Sequence, residues 1–236
     1  MNDKSKQHIY STNANNSYST LSVTDKRDFN TIFLDNKKKL ELITYIDTWA
    51  NNKELFSSRG INYKTGILLY GEPGTGKTSI AKAIAAKLNS SITIINMSII
   101  ESLNLDNILR KDPNVISVVV LEDIDCIIGK RKEDKLTEKE RNAFNITLQL
   151  LDGINSVSNT IFIATTNHFE QLDPALIRDG RFDVKMEIGK LNKELSIEMC
   201  KSFDVDPDMI LNSEEEFINP SELQNKIIKY CLKANI

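Results

Sequence analysis

A lysine followed by a hydroxyl, placed behind a run of glycines, can grip a phosphate chain, and Gly71-Glu72-Pro73-Gly74-Thr75-Gly76-Lys77-Thr78 has them in the G-x-x-x-x-G-K-[ST] spacing. Glycines let successive backbone N–H groups turn inward around the phosphates, and the helix that begins behind the loop adds positive potential at its N-terminus. Lys77 then reaches the β- and γ-phosphates and Thr78 supplies a hydroxyl to Mg²⁺, so the nucleotide-holding stretch runs from Gly71 to Ser79. The motif has this meaning only between a strand and a helix. Ile67–Tyr70 is a short apolar run in front of it, and Thr78–Leu88 is helical in pattern behind it.

Carboxylates come next. Val118-Val119-Val120-Leu121 reads as a buried strand, and Glu122-Asp123-Ile124-Asp125 follows at the edge where parallel α/β sheets bind ligands. One of these acids is expected to hold the Mg²⁺ shell, and a neighbour to orient or deprotonate an attacking water. A strand followed by acids is common by itself; paired with the phosphate loop it points to hydrolysis. Ile161–Asn167 is another apolar strand, ending in an amide that can bond the γ-phosphate or the water. Leu172–Asp183 carries Arg178 and Arg181 around a glycine turn. Taken alone these two arginines read better as surface salt-bridge formers than as functional groups.

Elements that could position these groups alternate along the chain. After Ile67–Tyr70 and Thr78–Leu88, strands are expected at Ile92–Ile95, Ile116–Leu121, Thr160–Thr166 and Val184–Ile188, with a helix at Glu138–Leu151. Such alternation implies a five-stranded parallel sheet covered on both faces, a three-layer α/β sandwich. In front of it, Leu40, Ile43, Ile46 and Ala50 recur at helical steps within Phe29–Phe56. Residues 1–24 are rich in Ser, Asn and Thr without apolar periodicity and read as a disordered polar tail. The nucleotide-binding core is expected over 25–190. Past Leu191 the strands stop, and Leu195–Phe203 and Ser221–Leu232 suggest a small helical lid over 191–236.

Composition narrows the function. The net charge of −3 gives no basic field for nucleic acid, and Lys130–Lys135 with Lys139–Arg141 form the one basic cluster near the motifs, interleaved with acids. No stretch approaches the roughly 20 apolar residues of a membrane span, and Met1–Thr20 lacks the apolar core of a signal peptide, so the expected location is the cytoplasm. Three widely spaced cysteines, Cys126, Cys200 and Cys231, fit neither a disulfide framework nor a zinc site and read as reduced packing residues. Two distant histidines, His8 and His168, suggest no metal cluster.

The motifs and their order resemble the AAA family of P-loop ATPases. Arg59–Thr78, Leu121–Asp125, Leu150–Ile154 and Thr165–Asp183 are most similar to the subfamily that moves the folded Rieske protein across the inner mitochondrial membrane. That resemblance implies a ring of about six or seven copies of this chain with ATP between neighbours. Arg178 and Arg181 then act in trans as arginine fingers, each worth about 10³–10⁵ in rate. Three departures stand out. The acids run Glu122-Asp123 where most of the family has Asp-Glu, so Glu122 occupies the usual metal position and Asp123 the usual catalytic one, with an exchange of roles left open. Only a polar tail precedes Phe29, so membrane translocation is not expected. Asn96–Leu105 lacks the aromatic-apolar-Gly loop with which threading members grip peptide. The expected function is an ATPase that changes ring shape on a folded protein or assembly. The alternatives are a nucleic-acid motor or loader and a non-hydrolysing ATP-binding scaffold.

Overall fold

A computed structural model describes residues 6–12, 18–95, 97–102, 115–127, 137–152, 158–212 and 216–234. In chain order these form β1 (Lys6–Thr12), β2 (Tyr18–Asp25), α1 (Asn36–Ala50), α2 (Lys53–Ser58), β3 (Lys64–Tyr70), α3 (Lys77–Lys87), β4 (Ile92–Ile95) and β5 (Ser117–Leu121). Then come α4 (Glu138–Asp152), β6 (Thr160–Thr166), β7 (Val184–Glu187), β8 (Leu191–Asn192), α5 (Lys193–Ser202), β9 (Phe217–Ile218) and α6 (Pro220–Ala234).

One seven-stranded sheet, ordered β2-β1-β4-β5-β6-β3-β7, carries the structure. All its pairings are parallel except β1 with β2. Both faces are covered, and the alternation of side chains along each strand shows how. Ile67, Leu69, Val118, Val120, Ile161 and Ile163 join one apolar layer with Ile80 and Ile84 of α3 and Leu42 and Ile46 of α1. Leu68, Val119, Leu121, Phe162 and Ala164 point the other way, toward Ala143, Leu150 and Leu151 of α4. The expected three-layer α/β sandwich is therefore the observed one, with two strands more than the five expected.

Those two strands correct the reading of residues 1–24 as a disordered tail. Residues 6–12 and 18–24 lie within a hairpin that extends the sheet beside β4, while 1–5 and 13–17 lie outside the described residues. The inward face of β1 is Gln7, Ile9 and Thr12, all at most 5% exposed. Two of the three are polar, so hydropathy alone shows no period. The Gln7 amide is satisfied by donating to the carbonyls of Lys82 and Ser90.

In α1, Asp35 caps the N-terminus by accepting from the N–H groups of Lys37 and Lys38. The buried face is Leu42, Ile46 and Trp49; Leu40, placed on the apolar face by its spacing, is 66% exposed. Trp49 stacks on Tyr63 with ring centroids 4.2 Å apart, fixing the helix end against the start of β3. Past Leu191, α5 and α6 pack around Leu195, Met199, Leu223 and Ile227 as a helical lid with its own small core. Its two-residue strands β8 and β9 pair antiparallel, where the sequence suggested helix alone. Cys200 is buried and Cys231 partly buried in this lid, but Cys126 is exposed and so is not a packing residue.

Of the segment Asn96–Leu105, residues 97–102 form a short 3-10 turn with Met97 and Ile100 buried; the rest lies outside the described residues. So do Lys130–Lys135, Gly153, Ile154 and the first two acids of Glu214–Glu216, whereas Lys139–Arg141 sits in the first turn of α4. Among the described residues no helix is long and apolar enough to cross a membrane.

Candidate nucleotide site

The loop from Gly71 to Gly76 leaves β3 and enters α3 with Gly76 at the N-cap position, where no side chain competes for the first N–H groups of the helix. Those N–H groups and the positive end of the helix dipole face the loop and suit an anion. Lys77 is only 7% exposed. Its Nζ donates to the carbonyls of Gly71 (2.8 Å) and Glu72 (2.9 Å) and to Oδ1 of Asn167 (2.7 Å). All three ammonium protons are thus engaged. Burial pushes the pKa of Lys77 down, against the upward pull of the Asp123 and Asp125 carboxylates. Phosphate oxygens arriving at this point would replace neutral carbonyls as acceptors and form stronger, charge-assisted bonds.

Strands β3, β5 and β6 end side by side, because β5 and β3 both pair with β6 in parallel. At the end of β5, Glu122 Oε1 accepts from the Thr78 hydroxyl at 3.2 Å. Two oxygens on adjacent corners of a Mg²⁺ octahedron with bonds of about 2.1 Å lie about 3 Å apart. Thr78 and Glu122 are therefore spaced as neighbouring ligands of that ion. Among the described residues no group of three or more His, Cys, Asp or Glu side chains gathers as a cage. A cation that keeps water and phosphate in its shell needs none.

Asp123 turns out of the strand with φ +49°, a left-handed conformation that aspartate tolerates better than most residues. Its N–H donates to Thr165 Oγ1 at 3.1 Å, and its carboxylate lies 3.5 Å from Nδ2 of Asn167. Asp125 is a brace: it accepts from the Thr166 hydroxyl at 2.6 Å and ties the turn after β5 to β6. Asn167 thereby touches both Lys77 and Asp123, so the three sequence motifs meet at one point.

A cleft of about 380 Å³ opens over these groups, within the range of small-molecule sites. Pro73–Ile80, Asp123, Thr165 and Asn167 line its phosphate side, whereas Gly71 and Glu72 contribute carbonyls to Lys77 from behind. The Glu72 carboxylate faces away, 3.1 Å from Lys190 Nζ. Arg27, Ile32, Phe33, Met199 and Gln224 line the other side, beside a second cavity that contains no residue of the loop. Sequence reasoning missed these five. They come from the stretch before α1 and from two lid helices, which only the fold brings together.

Arg178 and Arg181 do not line the cleft. The segment carrying them is fastened to β3, where the Asp183 N–H donates to the Gly66 carbonyl at 2.9 Å and the Asp183 carboxylate accepts from the Thr65 hydroxyl at 2.9 Å. Only glycine fits at position 66, since a Cβ there would lie 1.8 Å from the Arg181 carbonyl oxygen. The structure gathers both arginines on Asp152. Arg181, 6% exposed, forks onto it through Nε (2.7 Å) and Nη2 (2.6 Å), and Nη1 bonds the Ala175 carbonyl. The Arg178 side chain is 61% exposed and only reaches Asp152 at 3.4 Å.

Hydrogen bonds from Arg181 hold the Asp152 carboxyl below its usual range. Its pKa in the folded protein is thus lower than the roughly 3.9 of an unfolded aspartate. The stabilisation is complete above that value and is lost as pH falls through the depressed one. Asp152→Asn should cost about 1.5–3 kcal/mol near neutral pH, the scale of a hydrogen bond to a charged group. Urea unfolding of both proteins should show the gap closing in acid; a gap independent of pH would contradict the ionic character of this clamp.

Residues 67–190 match the family described as "ATPase family associated with various cellular activities (AAA)". The chain is 34% identical over 214 residues to an Arabidopsis thaliana AAA-ATPase, covering 83% of this chain and 45% of that protein. It is 35% identical over 181 residues to the probable mitochondrial chaperone bcs1 of Schizosaccharomyces pombe, covering 75% and 40%. With the human mitochondrial chaperone BCS1 it shares 34% over 171 residues, covering 70% and 41%. The chain thus spans about half the length, or less, of these curated relatives. A phosphate loop, an acidic strand end and a strand-end asparagine converging on one cleft, with that match over the same residues, place this chain in the AAA family of ATPases, in its BCS1-like branch.

Proposed function

We propose that the protein is a Mg²⁺-dependent ATPase that works as a homo-oligomeric ring of about six or seven subunits and remodels or moves a folded protein or assembly. The observation that carries this reading is the convergence of Lys77, Thr78, Glu122, Asp123 and Asn167 at one cleft, while Arg178 stands exposed away from it. In a ring, a heterologous contact brings the Arg178 surface of one copy to the cleft of the next. Membership in a family with chaperone-named relatives supports the remodelling part.

In this reading the loop N–H groups and Lys77 bind the β- and γ-phosphates, and Thr78 and Glu122 hold Mg²⁺. Bound there, the ion neutralises charge on the phosphate oxygens. Asp123 and Asn167 orient the water that attacks the γ-phosphorus, Asp123 accepting its proton as the bond to the ADP oxygen breaks. Arg178 from the neighbour meets the charge that spreads over the γ-phosphoryl oxygens.

Phosphate release and particle mass, each measured with and without ATP or a slowly hydrolysed analogue, test the reading. Active protein should have the mass of an oligomer. Lys77→Ala should weaken ATP binding about 10- to 150-fold, the loss of a charge-assisted bond of about 1.5–3 kcal/mol. Assembled protein that binds ATP but releases no phosphate would be a scaffold and not an ATPase. Unchanged affinity in Lys77→Ala would remove the loop from the site.

A further inference from the structure

The phosphate loop is held by the lid. At the start of α6, Asn219 Nδ2 donates to the Pro73 carbonyl at 2.8 Å, and the Ser221 N–H donates to the Gly74 carbonyl at 3.2 Å. Oδ1 of the same asparagine accepts from the Ser221 N–H at 3.1 Å and from the Ser221 hydroxyl at 2.9 Å. One side chain therefore caps its own helix and grips the loop. The approach is close: Gly74 has φ +79°, and a Cβ on it would lie 2.4 Å from Ser221 Oγ and 2.8 Å from Asn219 Oδ1.

A planar trans peptide carries its C=O and its N–H on opposite sides, and the described peptides are all trans. Turning the Pro73 and Gly74 carbonyls to the lid fixes the N–H groups of Gly74 and Thr75 on the opposite edge of each peptide plane, in a loop that lines the cleft. We propose that Asn219 is a positioning residue for phosphate binding, the lid fixing two peptide planes of the loop in the orientation that phosphates need. The inference rests on the ATP-binding reading of the loop. It makes lid position and phosphate affinity reciprocal: whatever displaces α6 weakens the phosphates, and whatever binds them holds α6 down. Leu223 and Ile227, both fully buried in the lid core, make α6 move with the lid as one body.

Asn219→Asp separates the two duties of this side chain. Aspartate still accepts from Ser221 and is as good a helix cap, but it has no N–H for Pro73 and sets a carboxylate against that carbonyl. Asn219→Ala loses both. Affinities for a slowly hydrolysed ATP analogue, ADP and adenosine are measured alongside melting temperature. Asn219→Asp should bind the analogue and ADP about tenfold more weakly, the effect of one net hydrogen bond, with adenosine affinity as in the wild type. Asn219→Ala should show the same loss for phosphorylated ligands together with a lower melting temperature. Wild-type affinity in Asn219→Asp, or an equal loss for adenosine, overturns the proposal. A wild-type protein that binds no ATP is a different result: it removes the nucleotide reading itself.

Discussion

Arg178→Ala should keep its fold and its affinity for ATP, yet release phosphate about 10³-fold more slowly or worse, the loss typical of an arginine finger. The side chain is mostly exposed and reaches Asp152 only at 3.4 Å, so removing it leaves no buried charge unpaired. Arg181→Ala is a less clean variant. Arg181 is buried and forks onto Asp152, and deleting one partner of such a pair is strongly destabilising, by about 3–5 kcal/mol where burial is complete. A lower melting temperature should therefore accompany any loss of turnover in Arg181→Ala and be absent in Arg178→Ala.

Mixing shows where each arginine acts. Arg178→Ala and Lys77→Ala are purified separately, confirmed inactive, and combined under conditions that allow subunit exchange. Interfaces pairing an intact loop from the first with an intact Arg178 from the second should hydrolyse ATP. A residue serving its own subunit gives no recovery, since every site then lacks one essential group. Recovery with Arg178→Ala but not with Arg181→Ala would make Arg181 the internal anchor its burial suggests. Failure of both, with exchange confirmed, would defeat action in trans.

Asp123→Asn should bind Mg·ATP normally and stop turnover by about 10²–10⁴-fold, the usual worth of a general base. Asparagine is the same size and tolerates left-handed backbone, so φ +49° at this position is not disturbed. Glu122→Gln should instead weaken metal-dependent binding. The contact of Glu122 with Thr78 and of Asp123 with Asn167 favours this division of labour in spite of the inverted order of the acids. Nucleotide affinity with and without Mg²⁺, set beside single-turnover rates, distinguishes the cases, and the opposite pattern would show that the two acids have exchanged roles.

What the sequence revealed depended on how local each signal was. Gly71 to Thr78 works through consecutive residues, and the run Val118–Leu121, buried throughout, is apolar throughout, so the loop and this strand were legible at once. Meetings between distant residues were not. The partner of Arg181 is 29 residues away at the end of α4, and nothing in the spacing of the two arginines says that one is buried and the other exposed. The hairpin stayed hidden because Gln7 and Thr12 occupy inward positions where hydropathy seeks apolar side chains. Leu40 shows the reverse: its spacing fits the helical stripe, but the sheet packs against the face of Leu42, Ile46 and Trp49.

The same Gln7 has a mechanical side. β1 runs parallel to β4, paired at Ile9 with Ile92, Tyr10 with Thr93 and Ser11 with Ile94, so tension along β1 loads these rungs together, in shear, and does not peel them apart one by one. Gln7 adds a second attachment, through Lys82 and Ser90, to the middle of α3 and the loop behind it. That helix has 11 residues and is thus a rod of about 16 Å, with Lys77 at its head. A pull on the hairpin bears on the middle of this stiff strut and the loop behind it, a phosphate on its head.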